Sequence, residues 1–185
     1  EVGGDAQPRD APADPVPTLW TRQLFTEPSD RRRLEHRADI LRFCTPPLAA
    51  QVEAVGYPEV VLYASSSAPD TDFFARLVDE HPDGGIALEV CYGLVRARHR
   101  HSLEREELIA PGEIVEYRIR LGATACRFRE GHRIRLEITS SDFPNHDRNH
   151  NTGGNDLAET ELVVATQTIH HSPAHPSHLI LHGVA

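Results

Sequence analysis

Lysine and methionine are absent from the 185 residues, and aromatic side chains make up 6% of them. All 19 basic residues are therefore arginines, a bias that reads as codon usage in a GC-rich genome. Trp20 is the sole tryptophan, so the chain is poorly equipped to stack a sugar ring on an aromatic face. Cysteine is scarce as well. Cys44, Cys91 and Cys126 are odd in number and widely spaced, with no CxxC pair; this excludes a disulfide framework. Cys91 lies in an apolar stretch and is expected to be a buried free thiol. Free thiols fit a reducing, cytoplasmic compartment.

No apolar run approaches the roughly 20 residues that a membrane-crossing helix needs. The opening, Glu1 to Pro17, is acidic and proline-rich, unlike a secretory signal. The chain begins without methionine, which reads as a processed chain or a fragment. Net charge is 19 − 28 = −9. A domain this acidic is a poor binder of phosphate backbones, so no nucleic-acid partner is expected.

What is present is a globular composition. With 39% apolar residues, the chain is long enough for one domain with a proper core and short for two. Residues 1–30 contain Pro8, Pro12, Pro15, Pro17 and Pro28 and show no sustained period. They read as an extended arm, because proline restricts itself and its predecessor to extended backbone. Leu19, Trp20, Leu24 and Phe25 on this arm are large and apolar. They are expected to lie on a surface, either the arm's own domain or a partner.

Residues 31–185 read as one β domain. In Ile114–Leu121, Val115, Tyr117, Ile119 and Leu121 alternate with Glu116, Arg118 and Arg120. Arg133–Ile138 alternates likewise, with Ile134, Leu136 and Ile138 inward. Period 2 gives strands with one buried and one wet face, the pattern of antiparallel sheet. Further strands are expected at Val60–Ser65, Phe73–Asp79, Ile86–Arg96 and Leu162–Ile169, with a short last one at Ser177–Leu181. Turns at Pro82–Gly85, Ala110–Glu113 and Arg129–Gly131 separate them. Ser102–Ile109 alone looks helical, with Glu104, Glu106 and Glu107 near its start. About eight strands and almost no helix predict an all-β jelly-roll sandwich.

Three stretches could carry chemistry. Ser65–Phe73 ends a strand with hydroxyls and carboxylates. Its Asp70 and Asp72 suit the bracing of a tight connection, and hard cations would also accept such oxygens. Phe143–Gly154 is a long polar loop of a kind that compact domains seldom keep without a role. Asp142, Asp147, Arg148 and Asn149 are expected to brace it. The third stretch is the histidine-rich end: His170, His171, His175, His178 and His182. It lacks the Cys partners or the helical i, i+4 pair of zinc motifs, so no metal and no cofactor is expected. No spacing singles out a nucleophile, base and orienting group, and there is no G-x-S-x-G elbow. No catalytic residue is therefore assigned.

The ordered set Asp14-Pro15-Val16-Pro17-Thr18, Ser65–Phe73, Leu77-Val78-Asp79, Pro82-Asp83-Gly84, Gly131-His132-Arg133-Ile134, Ser140–Pro144, Asp147-Arg148-Asn149, Asn151–Gly154 and His175-Pro176-Ser177-His178 resembles a known family. It is similar to the C-terminal region of the cocaine-esterase, α-amino-acid ester hydrolase and X-Pro dipeptidyl-peptidase serine hydrolases, over about Asp14 to Leu181. The resemblance implies a galactose-binding-domain-like jelly roll. It would pack on an α/β-hydrolase domain or subunit that supplies the Ser-Asp-His triad, the oxyanion-hole tyrosine and a helical cap. None of those residues maps onto this chain. In the family, the segment after D-P-V-P passes the active-site mouth and offers apolar side chains, here Leu24-Phe25. The departure is Trp20-Thr21, where the family has Gly-Gly, which stiffens the backbone and adds bulk.

Three functions are open on the sequence. The first is an accessory domain of a serine hydrolase that helps shape its substrate pocket, with homo-oligomers allowed. The second is a carbohydrate- or ligand-binding module, by fold analogy. The third is a stand-alone jelly roll using His146, His150, His170, His171 and His178 as acid–base groups. A deep pocket holding several of these histidines would favour the third; a flat apolar face would favour the first.

Overall fold

A computed structural model describes residues 30–183. The arm residues Leu19, Trp20, Leu24 and Phe25 lie outside the described residues. Ten strands follow in order: β1 (Leu41–Cys44), β2 (Val52–Gly56), β3 (Glu59–Ser66), β4 (Asp72–Glu80), β5 (Ala87–Arg96), β6 (Val115–Arg120), β7 (Thr124–Phe128), β8 (Arg133–Thr139), β9 (Gln167–Ile169) and β10 (His178–Ile180). Among the described residues, helix is confined to two 3₁₀ turns, Arg31–Leu34 and Ala97–His99. No helix there is long and apolar enough to cross a membrane.

One sheet runs β1-β8-β4-β5 and the second β10-β3-β6, with β9 also paired to β3; β2 and β7 form a separate ribbon. The pairings are antiparallel. The core draws on both sheets: Phe73, Ala75, Leu77 and Ile138 from the first, and Val60, Leu62, Tyr117 and Ile119 from the second. The rings of Phe73 and Tyr117 meet across this interface at 4.9 Å, a contact worth about 0.5–1.5 kcal/mol beyond its buried area. Ala54 and Phe128 of the ribbon close the core. The all-β sandwich anticipated from the alternation is the observed architecture.

Three expectations need correction. Ser102–Ile109 is not helical. The Ser102 hydroxyl accepts from the backbone N–H groups of Glu104 and Arg105, and Ile109 is tied to the Pro69 carbonyl. A run this short has little helical tendency of its own, and serine offers its backbone an alternative. The strand foreseen over Leu162–Ile169 is regular only at Gln167–Ile169. Ahead of it, Asn151 and His150 hold Val163 in an irregular path.

The polar face of β8, expected to be wet, is covered: Arg135 is 2% and Glu137 1% exposed. On the outer face of the first sheet, register places Arg42, Glu137 and Arg76 side by side, and Cys44, Arg135 and Val78 beside them. The 3₁₀ turn at Arg31 covers this face. Arg31 donates to Glu137 through Nε and NH2 at 2.9 and 2.7 Å and lies 3.8 Å from Glu89. Arg135 donates to Glu137 at 2.5 Å. Arg76 reaches Glu89 at 3.2 Å and Asp142 at 2.5 Å, and it stacks on the Tyr92 ring at 5.2 Å. Burial works against the Glu137 charge, yet Arg31 and Arg135 outweigh it and hold the carboxyl below the usual glutamate range.

Candidate functional site

Asp70-Thr71-Asp72 carries two carboxylates on one side of an extended chain, and Arg96-Ala97-Arg98 carries two guanidiniums with the same spacing. The β4–β5 register sets Asp72 against Arg96, so the two alternations lock. Asp70 accepts from the Arg98 backbone N–H at 2.8 Å and from Arg98 Nε at 2.7 Å. Asp72 receives Arg96 in fork geometry at 2.8 and 3.0 Å. Burial opposes the charge of Arg98, but the Asp70 hydrogen bond and charge raise it above its ordinary value. The Asp72 hydrogen bond does the same for Arg96.

Asn149 is buried and joins the two aspartates. Its amide donates to Asp70 at 2.7 Å and to Asp72 at 2.9 Å, and its oxygen accepts from the Asn151 backbone. The two arginines then extend outward. Arg96 pairs with Asp156 at 2.7 Å, and Arg98 donates to the Gly154 carbonyl at 2.6 Å. Asp156 in turn receives the His150 backbone N–H. This network lays the polar loop after Phe143 onto the end of the sandwich and satisfies backbone that would otherwise go unpaired. Both Asp70 and Asp72 direct their oxygens at arginine and asparagine donors, which leaves them poorly disposed for the cation reading.

Of the six loop residues singled out in the sequence, Asp70, Asp72 and Asn149 converge. Asp142 serves the charged face of the first sheet through Arg76. Arg148 lies over the Phe143 ring at 4.5 Å, and Asp147 is exposed. Arg96, Arg98 and Asp156 were missed. The signal that could have found the two arginines is the matched i, i+2 charge pattern of D-T-D and R-A-R on neighbouring strands.

The braced loops present apolar groups to solvent. Leu103 is 89% and Leu157 90% exposed, with Leu108, Leu162, Val163 and Val164 also exposed. The loop that carries Leu103 and Leu108 meets the loop that carries the others at Gly153. A Cβ there would stand 3.1 Å from the Leu108 side chain and 3.4 Å from Pro69.

A second feature is an apolar cavity of about 280 Å³ between the sheets, at the side closed by β1 and β10. Phe43, Leu62, Leu136 and Leu179 are among its walls, with His171 and His178 at its rim. Of the five histidines named as acid–base candidates, His171 and His178 line it. His146 packs on Phe74, and His170 meets the Ser65 hydroxyl at 3.1 Å.

The model of the X-Pro dipeptidyl-peptidase C-terminal non-catalytic domain matches residues 2–180. The cocaine esterase of Rhodococcus sp. (strain MB1 Bresler) is 46% identical over 176 residues, which is 92% of this chain and 30% of that protein. Among solved structures, an aminopeptidase from a marine sediment Thaumarchaeota archaeon superposes with a TM-score of 0.81 at 29% identity, over 84% of this chain and 27% of its own. An α-amino acid ester hydrolase gives a TM-score of 0.79 at 31% identity, over 82% and 26%. The chain thus spans less than a third of the length of each of these relatives.

Proposed function

Because the chain belongs to the X-Pro dipeptidyl-peptidase C-terminal non-catalytic domain family, we propose that it docks on an α/β-hydrolase partner, which supplies the nucleophile for cleavage of an ester or prolyl peptide bond. The observation that carries this reading is the pair of loops held in place by Asp70, Asp72 and Asn149. They present Leu103, Leu157 and Val164 to solvent, and fixing apolar groups in that position is costly unless something covers them. In this reading residues 1–30 are an arm, and residues 31–185 are the sandwich. Leu19, Trp20, Leu24 and Phe25 take the pocket-shaping role that the resemblance implies. The three free thiols support a cytoplasmic setting.

Purified chain is mixed with p-nitrophenyl acetate, p-nitrophenyl butyrate and Ala-Pro-p-nitroanilide, with and without a serine-directed inhibitor. The expected result is no turnover above buffer. Inhibitor-sensitive turnover overturns the non-catalytic assignment. Docking is read by gel filtration with the hydrolase part of the Rhodococcus relative, freed of its own C-terminal region. Co-elution is expected, with loss in a Leu157→Asp, Val164→Asp double variant. If that variant co-elutes as well as the parent chain, these loops are not the docking surface.

A further inference from the structure

Where β4 runs out into the 81–86 turn and β8 begins, three side chains meet whose chemistry the docking reading does not use. Asp79 is near the end of β4, His81 lies just beyond it, and His132 lies just before β8. The backbone fixes all three. Asp79 stands in register with Leu88 on one side and Ile134 on the other. The His81 N–H donates to the Ile86 carbonyl at 3.0 Å. The His132 N–H donates to the Arg129 carbonyl at 3.1 Å, and its own carbonyl accepts from Leu48 at 2.8 Å.

The side chains converge as well. His132 Nδ1 is 2.9 Å from one oxygen of Asp79, and His81 Nε2 is 3.6 Å from the other. The two imidazole rings lie 4.3 Å apart at 38°. One donor atom from each residue can be chosen so that all three fall within 4.8 Å of one another. A structural Asp–His pair accounts for His132 but not for His81. The His81 side chain is one-third exposed, so it could turn into water, yet it lies against both partners. Asp70 and Asp72 are filled by guanidinium and amide donors, whereas the partners of Asp79 are two imidazoles.

We propose that Asp79, His81 and His132 form a binding site for a divalent transition-metal ion of the zinc type. Zinc takes imidazole nitrogen and carboxylate oxygen at about 2.0–2.2 Å, which sets tetrahedral donors roughly 3.4 Å apart. The two imidazole nitrogens lie 2.9 and 3.6 Å from different oxygens of Asp79, and one donor from each residue lies within 4.8 Å of the others, so the donors draw together to reach that spacing. The remaining gap closes by rotation of His81, the most exposed of the three. Two imidazoles and one carboxylate select zinc, cobalt or nickel over calcium and magnesium, which want oxygen alone. Three protein ligands leave a fourth position for water on the solvent side of His81. The site joins the β4–β5 turn to the start of β8, so an occupied site cross-links two neighbouring strands at one end of the first sheet.

The test uses the untagged 185-residue chain after chelator treatment. Cobalt is titrated while its visible ligand-field absorption is recorded, and zinc is titrated by calorimetry. The expected result is one equivalent bound, with an affinity on the order of micromolar and the intense visible band of low-coordinate cobalt. His81→Gln removes a ligand at the exposed position, so the fold is retained by circular dichroism. It weakens binding about tenfold to a hundredfold or more, the scale already seen for losing an outer partner of a ligand. His175→Gln, in the C-terminal histidine stretch, leaves the affinity unchanged. The proposal is overturned if no zinc binds stoichiometrically at about millimolar concentration. It is also overturned if binding survives His81→Gln, or if binding is lost in His175→Gln instead. None of these readouts depends on hydrolase activity or docking, so a failure here leaves the docking reading standing.

Discussion

Strands β6 and β8 carry the same alternation of apolar and charged residues, and their charged faces meet opposite fates. On β6, Arg118 stands in the open, 3.0 Å from both Glu116 and Glu59. On β8, Arg135 and Glu137 are sealed beneath the turn at Arg31, together with Arg76 and Glu89. The lesson is that period 2 says which residues share a face and not whether that face is covered. A wet ion pair trades water for a partner at little net gain. A buried set must be complete, because each member left without its partner is a desolvated charge.

The largest break in this comparison comes from removing one member of the sealed set. Glu137→Ala leaves Arg31 and Arg135 without their shared acceptor and should cost about 3–5 kcal/mol, read as a fall in the urea midpoint. A smaller loss is expected from replacing the couple together. Arg135→Met with Glu137→Leu removes both charges at once, and its cost should fall short of the sum of the single changes by about 0.5–3 kcal/mol. Additive costs would show that the buried groups act independently.

Acid sharpens the contrast further. The Glu137 carboxyl is held below the usual glutamate range in the folded chain. Its contribution is therefore complete above that range and disappears as pH falls through it toward the lower folded value. Denaturant midpoints taken from neutral pH downward should decline less steeply in Glu137→Gln than in the parent chain. The smallest effect belongs to the wet face. Arg118→Ala should shift stability by no more than about 0.5 kcal/mol, and added salt should erase the difference.

Much of the sandwich was legible because tertiary packing agreed with local pattern. The apolar positions of β6 and β8 point inward as the alternation requires, and β3, β4, β5 and β10 fall within a residue or two of their expected bounds. Strands β1, β2 and β7 were not foreseen; each is four or five residues long, too short for a period to declare itself. The candidate site was legible in its acidic half. Asp70, Asp72 and Asn149 stand out in polar stretches, whereas Arg96 and Arg98 look like ordinary ends of a strand until the register sets one of them against Asp72. The trio of Asp79, His81 and His132 is separated by about fifty residues, and no single-chain spacing rule reaches that far.

The position of Arg31 also has a mechanical side. Asp30 bridges to Leu88 on the outer strand β5, and one residue later Arg31 grips Glu137 on β8, an interior strand. A pull arriving along the chain at this point is therefore shared between the rim of the sheet and its middle. Peeling an edge strand breaks hydrogen bonds one at a time. A load entering at both places has to strip a guanidinium from a buried carboxylate before any strand can be unzipped.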